Sequence, residues 1–256
     1  MRNQWILRVV PVAAVLVVTM LHVTVGAVPA GVPSTPMEAA IDQLRARFPN
    51  QLVVGFEELW ETRPESEPEV DLGPPEATLQ QVLARMRRDN PQYRIDLLAG
   101  GLVHIYPAYG TADPPGILDL NLAEFFLPPD DCVPQQFLSM DSPVANFSYT
   151  PELSRYIWEH KVAWDRAHGR EPEGIVGDFM GDCVPAQHRR EPIYRNITLR
   201  EALNLIAIRS LQAATGKVPR TGLPEFKVKP VSWKYRFRRE PDAPTGLGGV
   251  PLFQTF

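Results

Sequence analysis

The stretch TLQQVLARMRRDNPQYRIDLLAGGLVHIYP, residues 78–107, contains the signals for one helix and one hairpin in direct succession. Its first four residues match a capping box, and apolar residues then recur at helical spacing. Tyr93–Leu97 and Leu102–Tyr106 are rich in strand-forming residues, and Gly100-Gly101 between them predicts a tight turn. The stretch therefore predicts a helix followed by a β-hairpin.

The residues before this stretch predict one more helix and one more strand. Thr35-Pro36-Met37-Glu38 is a second capping box with proline at the first helical position, and Pro49 ends the apolar stripe that follows. Leu52–Phe56 is an apolar run typical of a strand. Residues 34–108 are therefore expected to form one small α+β domain.

The second half of the chain repeats part of this order. A third capping box opens at Thr198, Trp233–Arg238 alternates as a strand does, and a Gly-Gly pair precedes a last strand. We expect a second α+β domain at 116–256, with a helical insert at about 143–170. The predicted fold class is α+β, with two small related domains that each pack helices on a short mixed sheet.

The first domain resembles the secretin/TonB short N-terminal domain of bacterial envelope proteins. The similarity lies in a threonine-leucine-initiated helix, a tyrosine-led strand and a closing strand, and it extends to the helix start of the second half. A first helix and strand precede these elements in that family as they do here. The residues that carry the resemblance are Ala40–Leu44, Leu52–Val54, Ala77–Leu83, Tyr93–Ile95, Leu102–Ile105 and Asn196–Asn204. The resemblance implies a periplasmic domain that contacts other proteins.

The N-terminal residues predict export. Val9–Val25 carries no charge, Arg2 and Arg8 precede or flank it, and Val25-Gly26-Ala27 has small residues where a signal peptidase cleaves. Residues 1–27 are therefore interpreted as a signal peptide, with an uncleaved anchor to the inner membrane as the alternative. We expect a periplasmic or extracellular protein, and no later segment is expected to span a membrane.

The two cysteines lie in near-copies of one phrase, Asp131-Cys132-Val133-Pro134 and Asp182-Cys183-Val184-Pro185. In an oxidising compartment a Cys132–Cys183 disulfide is the favoured interpretation, and two free thiols are the alternative. A zinc site formed by Cys183 and His188 has too few ligands to be favoured.

Charge excludes one class of function and divides the chain into contrasting stretches. The net charge of −4 argues against a nucleic-acid binder. Residues 57–77, here called the acidic stretch, hold eight acidic residues and one arginine. Residues 217–239, the basic stretch, hold eight basic residues and one glutamate. The two are expected to attract each other, between domains or between molecules.

The basic stretch also contains the candidate binding residues. In the predicted strand from Trp233, aromatic side chains alternate with basic ones, so the two types lie on opposite faces. Basic and aromatic side chains together can hold an anionic polymer or ligand, while an amphipathic strand with its polar face in water is the alternative. The candidates are Trp233, Lys234, Tyr235, Arg236 and Arg238.

No motif for catalysis is present, and no cofactor or metal is expected. The sequence lacks a phosphate-binding glycine loop, a Gly-x-Ser-x-Gly nucleophile and a His-Glu-x-x-His pair. Glu57-Glu58 is interpreted as part of a solvated acidic loop rather than an acid–base pair. His160 and His168, in a helix predicted to run from about Thr150, are interpreted as packing residues, with a metal site as the less favoured alternative.

These expectations combine into one hypothesis with two alternatives. The chain is predicted to be a non-catalytic envelope interaction module that binds a protein partner through a sheet edge or charged loops. The first alternative is a binder of an anionic small ligand or cell-wall fragment. The second, less favoured, is a secreted hydrolase built around His160.

Overall fold

The computed structural model describes residues 36–59, 69–109, 116–127, 151–171, 193–218, 229–239 and 249–255. The helices are α1 (Pro36–Arg47), α2 (Leu79–Asp89), α3 (Pro151–Ala167) and α4 (Leu199–Ala214), with a short 3₁₀ helix at Ile117–Asp119. The strands are β1 (Val53–Glu57), β2 (Tyr93–Leu98), β3 (Leu102–Pro107), β4 (Asn121–Phe126), β5 (Ile193–Thr198), β6 (Trp233–Arg239) and β7 (Gly249–Thr255). The predicted α+β class is confirmed.

Local sequence signals set the starts and turns of several elements. Thr78 and Thr198 cap α2 and α4, and each forms the reciprocal hydrogen bonds of a capping box with Gln81 and Glu201. These pairs satisfy backbone donors that the first helical turn leaves free. In the β2–β3 turn, Gly100 has a φ of 85°, a conformation that glycine adopts without strain.

Strand β1 lies at the centre of a five-stranded sheet with the order β2-β3-β1-β6-β7. It pairs in parallel with β3 on one side and with β6 on the other. The hairpins β2–β3 and β6–β7 are antiparallel, which places β2 and β7 at the two edges. Strands β4 and β5 form a separate antiparallel pair.

The two predicted domains, 34–108 and 116–256, therefore share one sheet. Gly55 of β1 is in register with Trp233 of β6, and all described residues belong to one compact unit, Pro33–Phe256. The sequence predicts two separate domains because it contains two local repeats. Pairing between strands so distant in the chain leaves no local signal, because it depends on which apolar faces pack together.

Helices pack on both faces of the sheet at its central strand, β1. Val54 and Phe56 of β1 pack with α1 and α2 in one apolar cluster, whereas Val53 packs with α4, Trp233 and Tyr235 in another. The alternation of side chains along a strand produces this separation. Residues on β1 consequently point toward one helical layer or the other.

Other predictions fall partly or wholly outside the described residues. Helix α3 lies within the predicted insert at 143–170. Residues 1–27, Cys132 and Cys183 lie outside the described part of the chain. Among the described helices, none combines the length and the apolar character that crossing a membrane requires.

Candidate functional site

The aromatic face of β6, predicted to contact a ligand, is part of the core. Trp233, Tyr235 and Phe237 are buried and pack against residues of α4 and its surroundings. Trp233 Nε1 donates a hydrogen bond of 3.1 Å to Asn204 Oδ1. Because each large ring removes much apolar area from water, this face packs inward. The rings are closed to a ligand, contrary to the expectation.

The basic face of β6 is occupied by carboxylates of the same chain. Lys234 Nζ donates to Glu38 of α1, and Arg236 Nη2 donates to Glu58 Oε1 over 2.7 Å. Arg238 lies in the same strand, with its side chain outside the described part. The attraction expected between the acidic and basic stretches thus occurs within one chain, at the Glu58–Arg236 pair.

The sequence predicts that Glu57 and Glu58 lie in a solvated loop. In the structure both are buried, with exposed fractions of 3% and 5%. Their burial follows from their position, since Glu57 is the last residue of β1 and the Glu58 amide donates to Tyr235 O over 2.9 Å. Burial raises the pKa of Glu58, and the hydrogen bonds and charge of Arg236 offset only part of that effect.

Glu57 is the centre of a polar cluster between β1, β3 and α4. Glu57 Oε1 lies 2.8 Å from His104 Nε2 and 2.5 Å from Arg200 Nε, and its Oε2 accepts from Arg200 Nη2 over 3.2 Å. Arg200 also donates through Nη1 to Asp119. An arginine that bridges two carboxylates in this way holds α4, β1 and the 3₁₀ helix together.

The charges of this cluster are mutually stabilised. Burial by itself raises the pKa of Glu57, but hydrogen bonds from His104 and Arg200, with the charge of Arg200, outweigh it and hold the pKa below its usual value. Burial lowers the pKa of Arg200, and the bonds and charges of Glu57 and Asp119 reverse that effect, so its pKa is raised. Glu57 is therefore ionised at neutral pH.

Residues of the cluster line a cleft of about 610 Å³. Tyr106 OH donates to Asp96 Oδ2 over 2.8 Å, and the ring of Tyr106 lies 4.9 Å from that of His104. Cations and carboxylates both line the cleft, so it suits polar groups of either sign rather than an anion alone. The lining residues are Glu57, Arg94, Asp96, Leu98, His104, Tyr106, Pro107, Ala108, Asp119 and Arg200.

One wall of the cleft is the edge strand β2, and its outer edge has no neighbouring strand among the described residues. The amide of Ala108 donates to Gln92 O across the hairpin. Hydrogen-bonded positions alternate along an antiparallel pair, so every second residue from Gln92 directs its backbone N–H and C=O groups at β3. The backbone groups of Ile95 and Leu97, which lie between those positions, are directed outward. Leu97 and Leu98 are 41% and 40% exposed, which is unusual for large apolar side chains.

His160 and His168, the candidate metal ligands on α3, each pack against an aromatic ring one turn earlier in the helix. The ring of His168 stacks on Trp164 and that of His160 lies tilted against Tyr156, with ring centroids 4.1 and 4.2 Å apart. The Nδ1 of each donates to the carbonyl oxygen of that same aromatic residue, over 2.8 Å. In the described ranges, no three residues of the His, Cys, Asp or Glu type are grouped as a metal site requires.

The polar cluster was missed by sequence reasoning because its members lie far apart in the chain. One signal was present: Glu57 directly follows the apolar run Leu52–Phe56, and His104 lies within the apolar run Leu102–Tyr106. A charged or titratable residue that ends or interrupts a buried strand needs a partner. The partners, Arg200 and Asp119, have no comparable signal.

No protein-family model, curated protein or solved structure matches this chain. The resemblance to the secretin/TonB short N-terminal domain therefore remains an expectation from the sequence.

Proposed function

We propose that this chain is an exported, non-catalytic interaction module of the bacterial envelope that binds a protein partner by strand addition at β2. The observation that carries the proposal is the outer edge of β2, with outward-facing backbone groups at Ile95 and Leu97. An extended segment that pairs with such an edge gains main-chain hydrogen bonds. Export rests on residues 1–27 and the envelope on the resemblance.

The cleft beside β2 supports the proposal by offering contacts for side chains. Arg94, Asp96 and Leu98 alternate along one face of β2 and all line the cleft. An added strand would place every second side chain on this same face. Main-chain pairing would then supply affinity, and the charged and apolar positions of the cleft would supply selectivity.

The alternative, an anionic ligand bound by β6, is less well supported because its candidate contact residues are buried or already paired. Trp233 and Tyr235 are buried, and Lys234 and Arg236 are each bound to a carboxylate. A ligand anion would have to displace Glu38 and Glu58 from ion pairs that the chain already forms. The edge of β2 carries one side-chain contact, Arg87 Nε on Ile95 O, and that carbonyl oxygen keeps a second lone pair for an added strand.

A proline substitution tests the proposal. Leu97→Pro removes an outward-facing N–H while leaving the β2–β3 ladder intact, because the Leu97 backbone does not bond to β3. Crosslinking in the native envelope, followed by mass spectrometry, should recover recurrent partners with the wild type and lose them with Leu97→Pro. Leu97→Ala, which keeps the N–H, is the matched control and should retain them. Equal recovery with all three chains would refute strand addition at β2.

A further inference from the structure

We propose that the strand added to β2 is β2 of a second copy of this chain, paired antiparallel about Ile95. This inference rests on the proposed function, since it names the partner of the same edge. Antiparallel pairing of one strand with its own copy has two-fold symmetry, so the assembly closes as a dimer. The two five-stranded sheets would join into one continuous sheet.

The backbone of β2 provides the hydrogen bonds for this pairing. Ile95 and Leu97 face away from β3, so their N–H and C=O groups are directed at an incoming strand. In the symmetric register each Ile95 exchanges hydrogen bonds with Ile95 of the other copy. Leu97 lies opposite Tyr93, which allows the Leu97 amide to donate to the Tyr93 carbonyl oxygen.

Arg87 of α2 already contacts this edge. Its Nε donates to Ile95 O over 2.5 Å. A carbonyl oxygen has two lone pairs, so Ile95 O can accept a second hydrogen bond without losing Arg87. A charged side chain lying on an edge strand also discourages unspecific strand pairing. Only a partner with suitable charges is therefore expected to pair here.

The charges of β2 are complementary to themselves in this one register. Pairing about Ile95 places Arg94 opposite Asp96 of the second copy, and Asp96 opposite Arg94. Two neighbouring antiparallel registers also use the outward backbone groups of β2. One of them places Arg94 opposite Arg94, and the other places Asp96 opposite Asp96. Opposite charges across paired strands stabilise the pairing and like charges destabilise it. The register is thus specified by two residues on the cleft face.

A charge-reversal cycle tests the proposal on the full chain as it accumulates in the envelope. Sedimentation equilibrium should find the wild type dimeric and Arg94→Asp monomeric, with a dissociation constant raised about tenfold or more. Asp96→Arg should be monomeric as well. An equimolar mixture of the two variants should dimerise, because each acidic edge then faces a basic one. Restoration by mixing shows that opposite charges at positions 94 and 96 hold the paired strands together. A wild-type dimer that either single reversal breaks is expected only in the register about Ile95, because the slipped registers place like charges opposite each other in the wild type.

Two further variants keep the test decisive. Tyr106→Phe removes the hydrogen bond to Asp96 without changing charge, and it should remain a dimer. Leu97→Pro should be monomeric with a native circular dichroism spectrum, which provides a second variant if Asp96→Arg does not fold. A monomeric wild type, or an Arg94→Asp chain as dimeric as the wild type, would overturn self-pairing. If Leu97→Pro still abolished crosslinking to other proteins, strand addition at β2 would nevertheless stand.

Discussion

Glu57 and Glu58 are neighbours in the chain, yet their carboxylates bind arginine side chains on opposite faces of the sheet. Glu57 binds Arg200 of α4, and Glu58 binds Arg236, which also lies 3.7 Å from Glu38 of α1. The alternation of a strand explains the separation. Consecutive residues thus form two ion pairs whose carboxylates are buried and whose arginines are partly exposed. The pKa values of the two carboxyl groups are displaced in opposite directions.

Glu57→Gln should destabilise the fold most at neutral pH. The pKa of Glu57 is lower in the folded chain than the usual value of about 4.3. A carboxyl group of this kind contributes stability above its unfolded pKa and loses that contribution as pH falls through its folded pKa. We expect a loss of about 2 kcal/mol at pH 7, shrinking below about pH 4. Urea unfolding across this pH range measures it, and a loss independent of pH would contradict the prediction.

Glu58→Gln should show the opposite pH dependence. Burial raises the pKa of Glu58 in the folded chain, so the folded state binds the proton more tightly than the unfolded state does. Its contribution to stability therefore falls as pH rises from about 4.3 through the folded pKa. Relative to the wild type, Glu58→Gln should gain stability over that interval. Glu124→Gln, in an exposed pair with Arg195, is the matched control and should change stability by less than about 1 kcal/mol at any pH.

How much of this arrangement could be predicted depended on sequence distance. The capping boxes at Thr78 and Thr198 and the Gly100-Gly101 turn involve residues within a few positions of one another, so their signals are local and were predicted correctly. The β1–β6 pairing joins residues such as Gly55 and Trp233. It depends on the fit of apolar faces formed only in the folded chain, and sequence periodicity does not contain that information.

The candidate site shows the same limit. The alternation from Trp233 to Phe237 correctly predicted one aromatic and one basic face. Alternation does not tell whether the aromatic face meets solvent, a ligand or a helix. In the structure α4 covers the aromatic face. On the basic face, Lys234 and Arg236 bind the carboxylates of Glu38 and Glu58.

Gly55→Ala should destabilise the protein through a direct clash with Trp233. A Cβ on Gly55 would lie 2.8 Å from indole carbons of Trp233, closer than real contacts allow. The ring is buried and held by its bond to Asn204, so it cannot move aside freely. Overpacking of this kind costs about 1–3 kcal/mol. Guanidinium unfolding followed by far-UV circular dichroism measures the loss.

A double-mutant cycle identifies the cause of that loss. Trp233→Phe shortens the ring and should be destabilising alone, but it should relieve the clash with the added methyl group. The effects of Gly55→Ala and Trp233→Phe should therefore be less than additive, by at least about 0.5 kcal/mol. Strict additivity would mean that the added methyl group disturbs the strand by another route.

Ser232→Ala should weaken the junction between β1 and β6. Val54 N donates a hydrogen bond of 2.9 Å to Ser232 Oγ, and Ser232 is fully buried just before the first residue of β6. The hydroxyl extends the β1–β6 pairing by one hydrogen bond beyond the Gly55–Trp233 position. Alanine leaves the Val54 amide without this acceptor in a place closed to water, which costs about 1–3 kcal/mol.

Ser210→Ala provides the comparison for this change. Ser210 Oγ accepts from Val231 N over 2.8 Å, but Val231 is only partly buried, so water can replace the lost acceptor. We expect the smaller loss of stability for Ser210→Ala. Amide hydrogen exchange should show faster exchange at Val54 in Ser232→Ala and not in Ser210→Ala. If Val54 kept its protection in Ser232→Ala, its hydrogen bond to the serine would not be what closes β1 against β6.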